Sequence, residues 1–127
     1  MSAPALLPAA EWAVRRREQK LERDIAHHAT RVVVDWFAAA TVGSVLRPST
    51  LLRAALEPEL GIGPSSLLPD GRRVPTRAAA LCNGTAAHAA ELDDIFRDGL
   101  YHPGAPTVAA ALAVAQARSS TGPQLLS

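Results

Sequence analysis

Two alanine-rich segments, residues 76–90 and 104–117, restrict most strongly how this chain can fold. One side of the first segment consists almost entirely of small residues: Ala78, Ala79, Ala86, Ala89 and Ala90. Small side chains let two helices approach closely, but each such helix buries little apolar area. We therefore expect the pair to suit the interior of an assembly larger than 127 residues.

The strongest helix prediction covers residues 24–42, which Gly43 follows as a stop signal. Further helices are predicted over 8–21, 48–60, 76–90 and 104–117, with Thr76 capping the fourth. The predicted buried stripe of residues 24–42 has the three-to-four spacing of an amphipathic helix and consists of Ile25, Ala29, Val32, Val33, Trp36, Phe37 and Ala40.

The predicted fold class is all-α, an alanine-rich bundle of about five helices in a single domain over residues 1–127. Residues 1–10 are expected to be flexible. Pro69-Asp70-Gly71 predicts a turn between two short extended pieces. The final residues, 124–127, are typical of the first turn of a further helix, so we expect either a frayed tail or a chain truncated at its C-terminus.

Composition excludes several classes of function. The net charge is +1, and the chain has neither a basic stripe with aromatic residues nor a known nucleic-acid motif. The single cysteine, Cys82, rules out an intrachain disulfide framework and fits a reducing cytosol. Arginines follow the apolar N-terminus instead of preceding it, and no apolar run reaches the length of a membrane span. We therefore expect a cytoplasmic protein that binds neither nucleic acid nor a membrane.

The residues suited to chemistry concentrate after the first alanine-rich segment. Carboxylates and imidazoles can move a proton beside a carbonyl carbon, where one group removes the proton and another protonates the leaving group or carbanion. The stretch contains two histidines, one glutamate and three aspartates, namely His88, Glu91, Asp93, Asp94, Asp98 and His102.

Each of these groups also has a structural interpretation. His88 could cap carbonyl groups at a helix C-terminus. Asp93 and Asp94 could be solvated loop acids or the cap of a following turn. His102 precedes Pro103 and is therefore restricted to an extended backbone. Asn83 and the glycine after it could mark a kink or close helix contact, with Asn83 facing the site.

Four strings in the chain belong together in order and spacing. They are residues 33–44, residues 79–94, His102-Pro103-Gly104-Ala105, and residues 120–126. Together they resemble the MmgE/PrpD family, which contains 2-methylcitrate dehydratases, cis-aconitate decarboxylases and iminodisuccinate epimerases. The resemblance runs from about Glu11 to Leu126 and covers only the N-terminal part of the family's helical domain. Family members are several times longer and add further helices and an α+β lid domain.

The resemblance implies that Glu91 and Asp94 line an active site and that His102 is its catalytic histidine. We also predict substrate contacts from Asn83, His88 and Asp93. Two departures stand out: Ile95 replaces a threonine of some relatives, and the loop from Asp94 to His102 is about one residue longer. A lysine and a further histidine of the relatives would come from later sequence.

A metal site is a separate hypothesis, with His88, Glu91, Asp94 and His102 as the ligands. Their spacing matches no compact zinc signature, and the resemblance is to enzymes that work without a metal. We therefore expect no metal and no cofactor.

The leading hypothesis is a subunit of a lyase or isomerase that performs acid–base chemistry on a small carboxylated metabolite. A second protein chain carrying the missing family segments, or self-association, would complete the site. The alternative is a non-catalytic module derived from the family that binds a ligand or a partner. A third possibility is an isolated fragment with no separate function.

Overall fold

The computed structural model describes residues 6–16 and 19–126 and shows a helical domain with one small antiparallel ribbon. Half of the segment predicted to be flexible, residues 1–5, lies outside the described residues, and in the other half Leu7 already begins a helix. The elements in chain order are α1 (Leu7–Arg16), α2 (Arg23–Gly43), α3 (Arg47–Leu56), a 3-10 turn (Glu57–Glu59), β1 (Ser65–Ser66), β2 (Arg73–Val74), α4 (Thr76–His88), α5 (Gly104–Ala117) and α6 (Gly122–Leu126).

The all-α prediction is confirmed, and α5 has the predicted bounds. The first helix is shorter than predicted: it is described only to Arg16, and residues 19–22 precede α2 without helical structure. The predicted cap at Thr76 is wrong. Pro75 holds the cap position, Thr76 is the first helical residue, and no side chain caps this end. The Thr76 hydroxyl instead lies in a 3.2 Å hydrogen bond with the hydroxyl of Ser65.

Helix α4 is the centre of the domain, because it packs against both α5 and α2. Its small residues divide between two apolar clusters, a division that the alanine pattern did not predict. The first cluster contains Leu60, Leu67, Val74, Ala78, Ala79, Cys82 and Ala113. The second contains Trp36, Ala40, Ala87, Ala105, Val108 and Ala109. In the second cluster the indole nitrogen of Trp36 donates a hydrogen bond to the carbonyl oxygen of Ala105 at 3.2 Å, which joins α2 to α5.

The ribbon between α3 and α4 contains the predicted turn. β1 pairs antiparallel with β2, and Ser65 lies opposite Val74. Gly71 adopts a φ of 73°, which suits glycine because it lacks a Cβ. The hydroxyl of Ser65 donates to the carbonyl oxygen of Ala113 at 2.8 Å, so the ribbon is fastened to the C-terminal half of α5.

The predicted stripe of α2 is buried only in part. Trp36 and Ala40 lie in the core, whereas Ile25, Val32 and Phe37 are 49%, 45% and 36% exposed. The N-terminal half of α2 therefore presents apolar side chains that no described element covers.

No single helix among the described residues is both long and apolar enough to cross a membrane. Only α2 and the segment Arg47–Glu59 taken together, a pair bent by 81°, have the length and composition of a membrane span.

Candidate functional site

A buried carboxyl group lies at the centre of the polar cluster. The Asp93 side chain is 2% exposed, and its two oxygens lie 3.1 and 3.2 Å from Nδ1 of His88. Oδ1 of Asp93 also lies 3.3 Å from Nδ1 of His102. The two imidazole rings are 4.6 Å apart, with an interplanar angle of 59°. His88, Asp93 and His102 therefore form one compact cluster, which we call the His–Asp–His cluster.

The local backbone brings these three side chains together. His88 is the last residue of α4, and its carbonyl oxygen accepts a hydrogen bond from the backbone N–H of Glu91 at 2.9 Å. Glu91 has a φ of 50°, in the left-handed region that side chains normally avoid. This sharp reversal ends the helical path and turns the chain so that Asp93 lies back against His88.

The loop that follows closes on itself before His102. The backbone N–H of Phe96 donates to the carbonyl oxygen of Tyr101 at 2.8 Å, and the two rings make an edge contact at 5.7 Å. This closure returns the chain to the start of α5 and brings His102 into contact with Asp93.

Asp94 has a different role from its neighbour. Its Oδ1 accepts a hydrogen bond from the backbone N–H of Gly104, the first residue of α5, at 2.9 Å. A carboxylate here satisfies one of the free N–H groups of a helix start and complements the helix dipole. A Cβ at position 104 would overlap the Asp94 carboxyl group, so the interaction requires glycine there.

Asn83 is buried, and both ends of its amide are occupied. Its Oδ1 accepts from the backbone N–H of Leu68, and its Nδ2 donates to the carbonyl oxygen of Ser66, both at 2.9 Å. The amide thus joins α4 to the ribbon. The amide therefore has a structural role, and the substrate contact of Asn83 stays a prediction.

Two cavities lie on different sides of the His–Asp–His cluster. The larger, of about 1010 Å³, is lined by both histidines together with Glu91, Tyr101 and Arg77 among others, and we call it the Glu91 cavity. The smaller, of about 650 Å³, is lined by Asp93 and Asp94 with residues of α2, and we call it the Asp94 cavity.

The predicted catalytic set is therefore divided. Glu91 and His102 line the same cavity, whereas Asp94 lines the other and caps α5. Of the predicted substrate-binding residues, His88 lines the Glu91 cavity and Asp93 lies beneath both imidazoles.

Several cavity residues were not among the predicted site residues. Tyr101 lines the Glu91 cavity, and His27, His28 and Arg31 line the Asp94 cavity. His27 and His28 precede Arg31 by four and three positions, so helical periodicity already placed each of them beside Arg31.

Nδ1 of His102 is the one buried side-chain nitrogen or oxygen among the described residues that lacks a hydrogen-bond partner. The Asp93 oxygen is near enough for a charge contact but not oriented for a hydrogen bond. By contrast, burial raises the pKa of the Cys82 thiol, with a smaller opposing effect of Arg53. Cys82 is therefore an inert core residue, as its position in the first apolar cluster indicates.

The fold and the cluster define a helical domain with imidazole and carboxyl groups gathered at the end of α4, beside an open cavity. The model of the MmgE/PrpD N-terminal domain matches residues 8–127. The chain belongs to the MmgE/PrpD family, as the motif strings predict. No curated protein and no solved structure matches the chain.

Proposed function

We propose that this domain supplies acid–base residues to a lyase or isomerase that acts on a small carboxylated metabolite. One observation carries the proposal: His102 lines an open cavity together with Glu91 while its Nδ1 is buried against Asp93. Because Nδ1 is buried, Nε2 is the ring nitrogen that can exchange a proton with a molecule in the cavity.

The reaction needs two proton transfers. One group removes a proton from the carbon beside a carboxyl group, and another protonates the leaving hydroxyl in a dehydration or the carbanion in an epimerisation or decarboxylation. We assign these transfers to His102 and Glu91, which share the cavity. Asp93 is a positioning residue in this proposal, because it contacts His102 at the nitrogen that faces away from the cavity.

Asp94 is assigned a structural role instead of the predicted catalytic one. Its carboxyl group already accepts from the start of α5, and it lies on the other side of the cluster from Glu91. It supports the site by fixing the start of α5, which lies two residues after His102.

The proposed site also needs polypeptide beyond the described residues. A substrate with several carboxylates requires cationic partners. Arg77 at the wall of the Glu91 cavity already pairs with Glu59. Apolar side chains at the same cavity are open, with Leu81 44% and Tyr101 54% exposed. We propose that further family segments, on the same chain or on a second one, cover this face and supply the missing cations.

The test uses the assembled protein, in which these residues and their completing segments occur together. Its native mass is measured first, by light scattering after size exclusion, for the chain alone and for the chain co-expressed with its genomic neighbours. The assembled form is then assayed with 2-methylcitrate, cis-aconitate and iminodisuccinate.

The decisive comparison is His102→Asn against His27→Asn, which alters an exposed histidine of the Asp94 cavity. Loss of a general acid or base lowers the rate by about 100-fold or more. We expect that loss in kcat for the first variant and a near-normal kcat for the second. Equal activity of His102→Asn and the unaltered protein would refute the assignment. Saturable substrate binding without turnover in the assembled protein would favour the non-catalytic module.

A further inference from the structure

We propose that His88, Asp93 and His102 form a binding site for a divalent transition-metal ion, with Zn²⁺ as the probe. Each residue contributes one donor atom, and the three donor atoms lie within 4.8 Å of one another. Two imidazoles and one carboxylate are a donor set that suits zinc and its neighbours in the first transition series.

The spacing of the donors fits a tetrahedral ion. Metal–ligand bonds of about 2.0–2.1 Å place neighbouring ligand atoms of a tetrahedron about 3.3 Å apart. The Asp93 oxygens lie 3.1 and 3.2 Å from Nδ1 of His88, and Oδ1 lies 3.3 Å from Nδ1 of His102. Two edges of the required triangle are therefore present, and the two imidazole nitrogens would have to lie about 3.3 Å apart to form the third.

The orphaned nitrogen of His102 is an independent observation. Its Nδ1 is buried and has no hydrogen-bond partner, an arrangement that costs free energy unless something binds there. A metal ion between the two imidazoles and Asp93 would satisfy this nitrogen. Asp93 lines the Asp94 cavity, which leaves room for water as a fourth ligand.

The metal site considered from the sequence used different carboxylate ligands. Glu91 and Asp94 were the carboxylate candidates beside the histidines, and their spacing matched no zinc signature. The structure replaces both with Asp93, since Glu91 faces the cavity in an exposed position and Asp94 caps α5.

Metal binding would change what His102 can do. An ion on Nδ1 leaves the ring with its proton on Nε2, so His102 could donate a proton but not accept one. A bound ion would thus suppress any base role of His102. The inference itself does not rest on the proposed reaction, because binding is measured without substrate.

The test titrates Zn²⁺ into the chelator-treated chain by calorimetry and follows the melting temperature. One ion per chain is expected, with a rise in Tm of about 10 °C at a free ion concentration about 100 times Kd. His88→Ala should weaken binding at least about tenfold, and Asp93→Asn should do the same. His88 is half-exposed, so its substitution leaves the fold intact even where Asp93→Asn does not.

The matched control is the double variant His27→Ala/His28→Ala, which removes two imidazoles from α2 without touching the cluster. It should bind Zn²⁺ as the unaltered chain does. Co²⁺ provides a second readout, because four-coordinate Co²⁺ has intense visible absorption that His88→Ala should abolish. Absence of binding to the unaltered chain would overturn the proposal, as would binding that requires His27 and His28 but not His88.

Discussion

Gly43 lies where α2 approaches α4 most closely, and its replacement by alanine is the sharpest test of this packing. A Cβ built at Gly43 would overlap the carbonyl oxygen of Ala86 and lie 3.2 Å from Cβ of Ala89. The obstruction is largely helix backbone, which cannot rotate away as a side chain can. The two helices would have to separate, and Trp36 and Ala40 on the same face of α2 would lose contacts.

Two opposing terms set the size of the effect. Alanine favours a helix over glycine by about 1 kcal/mol. Overpacking a tight contact costs about 1–3 kcal/mol, and a clash with backbone belongs at the upper end. The net loss is then about 1–2 kcal/mol. An unfolding entropy of roughly 2.1 cal/mol/K per residue gives about 4 °C per kcal/mol for this length, so Tm should fall by about 4–8 °C.

Gly84 provides the matched control, because it too lies within a helix. A Cβ there would lie 3.4 Å from Cβ of Ala109 and 3.5 Å from the carbonyl oxygen of Ala105, which are ordinary contacts. Gly84→Ala should therefore be neutral or stabilising by up to about 1 kcal/mol. Urea unfolding followed by circular dichroism at equal protein concentration compares the two variants. A Gly43→Ala variant as stable as Gly84→Ala would refute the close-approach argument.

Four further predictions test the cluster and its supports. Asn83→Ala should lower the unfolding free energy by about 2–4 kcal/mol, since two buried backbone groups lose their partners; urea unfolding measures this. Glu91→Gly should raise it by about 1 kcal/mol in the same assay by relieving the left-handed backbone, while lowering kcat of the assembled enzyme. Burial alone would raise the pKa of the Asp70 carboxyl group. Hydrogen bonds from the Arg53 side chain and the Arg72 backbone, together with the charge of Arg53, outweigh burial and lower this pKa. The folded state therefore favours the charged form, so the stability difference from Asp70→Asn should be present at neutral pH and fade below about pH 4 in a pH series of melts. A double-mutant cycle between His88→Ala and Asp93→Asn should give a coupling of about 0.5–3 kcal/mol, because the groups are in contact; additive effects would contradict the cluster.

The helices were predictable because each rests on a local signal. Helix α5 has glycine at its start and an uninterrupted alanine-rich run, so both bounds followed from sequence. The first helix was overestimated because its residues are all exposed in the described part, and no burial sets where a polar helix ends. Periodicity likewise identified α2 but could not tell how much of its apolar face another element covers.

The location of the site along the chain was predictable, but the contacts of its individual side chains were not. The sequence concentrates the candidate residues between α4 and α5, and the structure keeps them there. What it could not specify is the left-handed turn at Glu91, where the chain leaves the end of α4. Asp93 and Asp94 are neighbours in the chain, yet Asp93 contacts the histidines and Asp94 the start of α5.

The fold explains some of the candidate residues fully and others not at all, and that contrast bears on function. Asn83 and Asp94 have complete structural roles, since their polar atoms fasten the ribbon and the start of α5. Glu91 has the opposite character: its backbone is strained, and within the described residues its carboxyl group has no hydrogen-bond or ion-pair partner. His102 keeps an orphaned buried nitrogen. Such departures from local consistency cost free energy and persist at sites that bind or react. We therefore propose Glu91 and His102 as the functional pair, with Asn83 and Asp94 as the residues that hold the surrounding backbone in place.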